Sequence, residues 1–115
     1  NVSITLKYQN GSIATISYYA YGDSAMPKEH IELFGNGFSM QLNDFRELKI
    51  YRRGKTITEK SSNQDKGFIG EFVAFKDSVK NGKNAIEFES IYNTTKTTFK
   101  ILESLRTKSL VVVDG

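Results

Sequence analysis

The spacing of apolar residues changes once along the chain, near its middle. Up to about Glu59, apolar and polar residues alternate in several short stretches, as in Val2 to Tyr8. This period of two is typical of half-buried strands. From about Gln64 onward, apolar residues recur at intervals of three and four, which is the period of one helix face. The pattern therefore predicts strands first and helices afterwards.

The first half predicts roughly six strands joined by short connections. Residues 2–20 are expected to form a hairpin that turns at Asn10-Gly11, a dipeptide that favours the positive φ angles of hairpin turns. A longer loop with the only proline, Pro27, then leads to a short strand over residues 30–34. Further turns are predicted at Gly35-Asn36-Gly37, Asn43-Asp44 and Arg53-Gly54. These short connections indicate a mostly antiparallel meander.

The second half predicts two amphipathic helices. The first ends at Asn81, with Gly82 as its left-handed C-terminal cap, and its face carries Phe68, Phe72, Phe75 and Val79. The second begins at Ser90, whose hydroxyl is expected to cap it, and its face carries Ile91, Thr95, Thr98, Leu102 and Leu105. Residues 111–113, all valine, predict either an edge strand or a tail that packs on a neighbour.

The predicted fold class is α+β: a mostly antiparallel β-sheet with two α-helices packed on one face, in a single domain of residues 1–115. The helical stripes need an apolar surface, and the sheet is the one available. The opposite sheet face stays open, and nothing in the chain is left to cover it. We expect it to be solvated or buried against something outside the chain. It would carry Ser3, Thr5, Lys7, Thr15, Ser17 and Tyr19.

Composition narrows the possible chemistry. The 115 residues include no Cys and one His, and the net charge is +3. Without Cys there is no disulfide, thiolate zinc site or cysteine nucleophile, and a reducing compartment is favoured. One imidazole rules out sites that need two. No apolar run approaches the roughly 20 residues of a membrane-spanning helix, so no membrane partner is expected.

Neither the glycines nor the histidine predicts a catalytic or cofactor site. A dinucleotide motif starting at Gly35 and Gly37 would need a third glycine where Met40 stands, and the turn leads into a strand rather than a helix. His30, beside Glu29 and Glu32, has the chemistry of a general base or metal ligand. It has no second His, however, and the two glutamates alternate to opposite faces of a strand. A surface histidine is favoured, with no catalytic, cofactor-binding or metal-binding residue in this chain.

Two further groups of residues have side chains of the types that bind nucleic acid or carbohydrate. Basic residues beside Tyr51 have the composition of a nucleic-acid groove: Lys49, Arg52, Arg53 and Lys55. Because acidic residues flank them, a solvated hairpin is favoured and no nucleic-acid partner is predicted. Tyr18, Tyr19 and Tyr21 combine rings with hydroxyls, as a carbohydrate site requires, and are the candidate substrate-binding residues. The alternative places Tyr18 in the core, Tyr19 on the open face and Tyr21 as a cap on the loop.

The order of several segments resembles a known family. The matching stretches are Tyr8-Gln9-Asn10-Gly11-Ser12-Ile13-Ala14-Thr15-Ile16, Pro27-Lys28-Glu29-His30-Ile31-Glu32-Leu33-Phe34-Gly35, Leu42-Asn43-Asp44-Phe45-Arg46, Gln64-Asp65-Lys66-Gly67 and Phe99-Lys100-Ile101-Leu102-Glu103-Ser104-Leu105. In this order they resemble the C-terminal domain of the Gfo/Idh/MocA oxidoreductases, the family of glucose–fructose oxidoreductase and inositol dehydrogenase. The resemblance covers nearly the whole chain.

The resemblance implies a role as part of a larger enzyme. Family members bind NAD or NADP in an N-terminal Rossmann domain, while the C-terminal sheet domain shapes the substrate pocket and forms subunit contacts through its open face. The family's Glu-Lys-Pro and Asp-x-x-x-His motifs do not occur here, so no catalytic residue is transferred to this sequence. We expect a cytoplasmic, C-terminal dehydrogenase fragment without its Rossmann domain, inactive in isolation.

In the intact enzyme we expect hydride transfer between a nicotinamide and a sugar or cyclitol, and a homo-oligomer, a dimer, formed through the open face. The cofactor, NAD or NADP, would bind outside this chain. A function of a different class is left open by the residues themselves: a stand-alone interaction or carbohydrate-binding module that uses the open sheet face.

Overall fold

The computed structural model describes residues 1–113 and has an α+β fold, as predicted. The strands are β1 (Val2–Lys7), β2 (Ile13–Tyr18), β3 (His30–Gly35), β4 (Phe38–Asn43), β5 (Glu47–Arg52) and β6 (Lys55–Lys60). The helices α1 (Phe68–Asn81) and α2 (Phe88–Thr107) follow. Every strand pair is antiparallel.

The strands form two sheets rather than one continuous meander. β1 pairs with β2, and β3, β4, β5 and β6 pair in that order in a second sheet. The chain likewise divides into two compact units. The first contains residues 1–19 and the described residues from Glu71 onward, and the second contains residues 20–70. The expectation of a single domain stays a prediction.

Two tight turns in the second unit lie at the predicted residues. Asn36 and Gly37 connect β3 to β4 with φ angles of 48° and 74°, and Arg53 and Gly54 connect β5 to β6 with φ angles of 51° and 70°. Two central residues with positive φ define the type I′ turn, whose twist matches that of the flanking strands. These turns fix which residues pair across the four-stranded sheet.

The register gives the four-stranded sheet two chemically different faces. Directly opposed residues share a face, and successive residues alternate. The apolar face carries Ile31, Leu33, Phe38, Met40, Leu42, Leu48, Ile50 and Ile57, together with Arg52, Lys55 and Glu59. The polar face carries His30, Glu32, Ser39, Gln41, Asn43, Glu47, Lys49, Tyr51, Thr56, Thr58 and Lys60, and one phenylalanine, Phe34.

The hairpin β1–β2 is also two-faced. Val2, Ile4 and Leu6 are half-buried and lie on one face, opposite Tyr18, Ile16 and Ala14 in the register. The other face carries the exposed residues that the sequence assigned to an open face, Ser3, Thr5, Lys7, Thr15 and Ser17, with Ile13 beside them. Tyr19 follows the end of β2 and is also exposed.

The helices expose the stripes that were expected to pack on a sheet. On α1, Phe72 is 77% exposed, and on α2 Phe99 is 65% exposed. Within the described part of the first unit, the expected covering of these stripes is therefore not seen. The physical reason is the size of the available surface. The apolar face of a two-stranded hairpin is too small to cover the apolar stripes of two helices.

One predicted helix end agrees with the structure, and one predicted helix end and one predicted strand differ from it. Gly82 follows α1 with a φ of 63°, as expected of a left-handed cap. The predicted cap at Ser90 is wrong, because α2 begins at Phe88 and Glu87 occupies the N-cap position without a side-chain hydrogen bond. The edge-strand alternative for residues 111–113 is also wrong, since these residues form no strand.

Candidate functional site

A chain of hydrogen bonds crosses the polar face of the four-stranded sheet from β3 to β5. His30 Nδ1 lies 2.7 Å from Asn43 Oδ1, within hydrogen-bond distance, and His30 Nε2 lies 3.4 Å from Glu32 Oε1. Gln41 Nε2 donates to the same Glu32 oxygen at 2.8 Å. The hydroxyl of Tyr51 donates to Gln41 Oε1 at 3.1 Å. The strand register alone brings these five side chains together.

The carboxylate of Glu32 is held in its charged form by these contacts. The hydrogen bond from Gln41, and then that from His30, lowers the pKa of Glu32 below its ordinary value. Both neighbours contact Oε1. Glu32 is therefore a fixed, ionised acceptor in the middle of the polar face.

A second charged group lies on the same face. The Glu47 carboxylate contacts Lys49 Nζ and Lys60 Nζ, each at 2.9 Å. Hydrogen bonds from Lys49 and then from Lys60 lower the pKa of Glu47 to about 2, and the bond to Glu47 raises the pKa of Lys49. The acidic groups of the polar face thus have basic partners beside them on the same face.

A third polar cluster ties the segment before α1 to the start of β3. Lys66 Nζ lies 2.7 Å from Glu29 Oε1, and Gln64 Nε2 donates to Asp44 Oδ1 at 2.8 Å. The Asp44 amide donates to the Glu29 carbonyl at 2.7 Å. The hydrogen bond from Lys66 is the main cause of a lowered pKa at Glu29. This cluster fixes the loop of residues 61–67 on the second unit.

The histidine proposed as an exposed surface residue is 55% exposed at its side chain. His30 and Glu32 share the polar face, while Glu29 precedes the strand and binds Lys66 instead. The two glutamates therefore do not converge on the imidazole. Among residues 1–113, no group of three or more His, Cys, Asp or Glu side chains has an arrangement that would hold a metal ion.

The three candidate tyrosines do not all belong to the same unit. Tyr18 and Tyr19 belong to the first unit and Tyr21 to the second. All three are exposed, Tyr21 at 89%. The alternative that places Tyr18 in a core is wrong, because its side chain lies at the exposed end of β2, opposite Val2. Their role in substrate binding stays a prediction.

The basic residues are divided between the two sheet faces. Lys49 and Tyr51 lie on the polar face, where they bind Glu47 and Gln41. Arg52 and Lys55 pair across β5 and β6 on the opposite face. Together with Arg53 in the turn, they border a shallow depression of about 450 Å³ beside Phe38 and Gly54.

Several residues of the polar network had no predicted role in a site. Gln41 and Asn43 connect the strands, and Gln64 and Lys66 fix the loop before α1. One signal was present: the alternation of Ser39, Gln41 and Asn43 with apolar residues along β4. It indicates a polar face but not its cross-strand partners, which depend on the register of β3 and β5.

Comparison with known proteins identified no relative of this chain. The sequence matches no protein-family model, no curated protein and no solved structure. Neither helix in the described part of the chain combines the length and the apolar character needed to cross a membrane.

Proposed function

We propose that this chain is the C-terminal domain of an NAD(P)-dependent dehydrogenase that acts on a sugar or cyclitol. In this proposal the domain supplies pocket walls and subunit contacts, and the chain is inactive alone. A preceding Rossmann domain binds NAD or NADP, and the intact enzyme is cytoplasmic. The order of the segments that resemble the Gfo/Idh/MocA family is the basis for this assignment.

The exposed apolar stripes of the helices are the structural observation that supports an assembly role most strongly. Phe68, Phe72, Phe75 and Val79 line up on α1, and each is more than half exposed. An apolar stripe of this kind normally marks a surface that another protein surface covers. A domain that completes its packing against the rest of a larger enzyme would have such stripes.

The polar groups of the described residues favour a structural role over proton or hydride transfer. His30 is engaged by Asn43 and Glu32 on an exposed sheet face, and Glu47 is neutralised by two lysines. Catalytic acids and bases generally lie in clefts that exclude water. In this proposal the catalytic residues belong to the preceding part of the enzyme.

Subunit association is assigned to the open face of the hairpin β1–β2. This face carries Thr5 and Thr15 as a cross-strand pair, with Ser3 and Ser17 beside them. Small exposed side chains permit a second copy to approach closely. A homodimer formed through this face is therefore part of the proposal, and the twofold symmetry of such a contact is the commonest one in oligomers.

Two measurements test this proposal. Calorimetric titration of the 115-residue chain with NAD and with NADP should show no saturable binding below about 1 mM. The reading frame that precedes Asn1 should encode a GxGxxG motif after a strand and, beyond it, a Glu-Lys-Pro motif. Tight nucleotide binding by the chain itself, or a preceding frame without both motifs, would overturn the assignment.

A further inference from the structure

The strand β6 lies at one edge of the four-stranded sheet, where its backbone has a strand on one side only. The strand order ends at β6, and every residue of Lys55–Lys60 is exposed. Among residues 1–113, no strand pairs with the outer side of β6. A sheet edge of this kind presents free N–H and C=O groups and can add a further strand.

The hydrogen-bond ladder identifies the residues of β6 whose backbone groups face outward. The Ser61 amide donates to the Arg46 carbonyl, which extends the register of β5 and β6 by one hydrogen-bonded pair. Bonded and non-bonded pairs alternate along an antiparallel ladder, so the odd-numbered residues of β6 bond to β5. The outward groups are therefore those of Thr56, Thr58 and Lys60.

The side chains of β6 form a pattern that is complementary to itself. Lys55, Ile57 and Glu59 lie on the apolar face, while Thr56 and Thr58 lie on the polar face. In a second copy that runs antiparallel with Ile57 at the centre, Lys55 of each copy lies opposite Glu59 of the other. The same register pairs Thr56 with Thr58, whose backbone groups face outward and can bond.

Neither charge of this pattern is neutralised within one copy. Lys55 and Glu59 are about 13 Å apart along the strand, and neither forms an ion pair in the part of the chain that the structure describes. Arg52, a like charge, lies directly opposite Lys55 on β5. Charged residues on an edge strand oppose pairing when like charges meet. In this register opposite charges meet, and they favour it.

We propose that β6 pairs with β6 of a second copy of this chain, antiparallel and with Ile57 opposite Ile57 of the partner subunit. Ion pairs between Lys55 and Glu59, and backbone hydrogen bonds between Thr56 and Thr58, flank this centre on both sides. A twofold axis relates the two strands and joins the two sheets edge to edge. This contact is separate from the hairpin β1–β2 and does not rest on the proposed dehydrogenase role.

The small size of this contact sets its expected strength. Two strands of this length bury far less than the roughly 1,200 Å² at which stable interfaces begin. We therefore expect a Kd between about 1 and 10 mM. At about 0.1 mM, most copies then remain unpaired through β6.

The test is a dilution series of the ¹⁵N-labelled Thr15→Arg chain from about 2 mM to about 0.05 mM, followed by amide NMR shifts. Thr15→Arg removes the contact assigned to the hairpin face, so failure of that contact and failure of this one are distinguishable. We expect shifts centred on Thr56, Thr58 and Lys60 that fit a monomer–dimer equilibrium. Amides of β6 that do not respond to concentration, or respond no more than those of β3 at the opposite edge, would overturn the proposal.

Charge reversal in the same background tests the register. Lys55→Glu and Glu59→Lys each place like charges opposite one another in identical copies, and each should weaken self-association at least about tenfold. An equimolar mixture of the two variants restores the opposite-charge contacts between unlike copies. It should associate within about threefold of the chain with unchanged β6. Full self-association of either variant alone, or no association of the mixture, would contradict the register.

A disulfide across the twofold axis gives a second readout. The chain has no Cys, and opposed residues of a non-hydrogen-bonded pair are close enough for a disulfide. Ile57→Cys should therefore form a covalent dimer on oxidation at least about tenfold faster than Ile31→Cys. Ile31 is the matched control, because it lies on the apolar face of the other edge strand and is 50% exposed, against 57% for Ile57. Equal rates for the two variants would contradict pairing through Ile57.

Discussion

At the scale of single residues, Glu47 is the most strongly perturbed ionisable group of the polar face. Lys49 lies two positions along β5 on the same face, and Lys60 lies directly opposite on β6. Two ammonium donors on one carboxylate stabilise its charged form. The result is a pKa of about 2 in the folded chain, against an ordinary value of 4.5.

The pH dependence of folding should therefore change when Glu47 is replaced. A carboxylate whose pKa is lowered by folding stabilises the folded state above its ordinary pKa, and this contribution is lost as the pH falls from about 4.5 towards 2. Glu47→Gln should remove that part of the acid dependence of the free energy of unfolding. Denaturant titrations between these pH values measure it.

Glu59→Gln is the control for this experiment. Glu59 is the residue before Lys60 and lies on the apolar face, away from the two lysines that bind Glu47. Its replacement should leave the acid dependence close to that of the unchanged chain. If Glu47→Gln and Glu59→Gln have the same effect, or if NMR titration gives Glu47 a pKa near 4.5, the lysine contacts do not hold in solution.

At the scale of elements, the turns between strands set the register on which the polar network depends. A slip of one residue would move every side chain of a strand to the other face. The turn at Asn36 and Gly37 joins the residues that pair at the ends of β3 and β4, Gly35 and Phe38. The polar face is thus a consequence of turn geometry.

Gly37→Ala should destabilise the chain by about 1 kcal/mol, because an L-residue is strained at positive φ. The φ of Gly37 is 74°, and no atom within 4 Å would obstruct the added Cβ, so the backbone angle alone is tested. Gly22→Ala is the matched control: it too has open space, without a left-handed φ. Its effect should stay within about 0.5 kcal/mol. Urea unfolding compares the two, and equal losses would contradict a strained turn.

Short stretches of sequence predict the strands and turns well. Contacts between separate elements are harder to predict from the sequence. The strands, the turn at Asn36 and Gly37 and the cap at Gly82 follow from short-range rules of backbone geometry, and they agree with the structure. The capping role of Ser90 fails because α2 begins two residues earlier. The bonds among His30, Glu32 and Gln41 could not be predicted, since they depend on a register that sequence spacing alone does not fix.

At the scale of the whole molecule, the sequence predicts a packing of the helices that is not seen within the first unit. Periodicity correctly marks the apolar stripes on α1 and α2, but it carries no information about which surface covers them. The prediction of one sheet also differs from the two that form. In our account, further protein surface supplies the missing cover, and the open hairpin face supplies the contact between copies.

Sedimentation equilibrium of the 115-residue chain at about 0.1 mM tests this account most directly, because dimers of moderate affinity are populated at that concentration. The account predicts a dimer that Thr15→Arg, on the open hairpin face, converts to monomer. Asp77→Arg, a still larger change of charge on the polar side of α1, should leave the dimer intact. A monomeric unchanged chain, or a dimer that Thr15→Arg does not weaken, would contradict it.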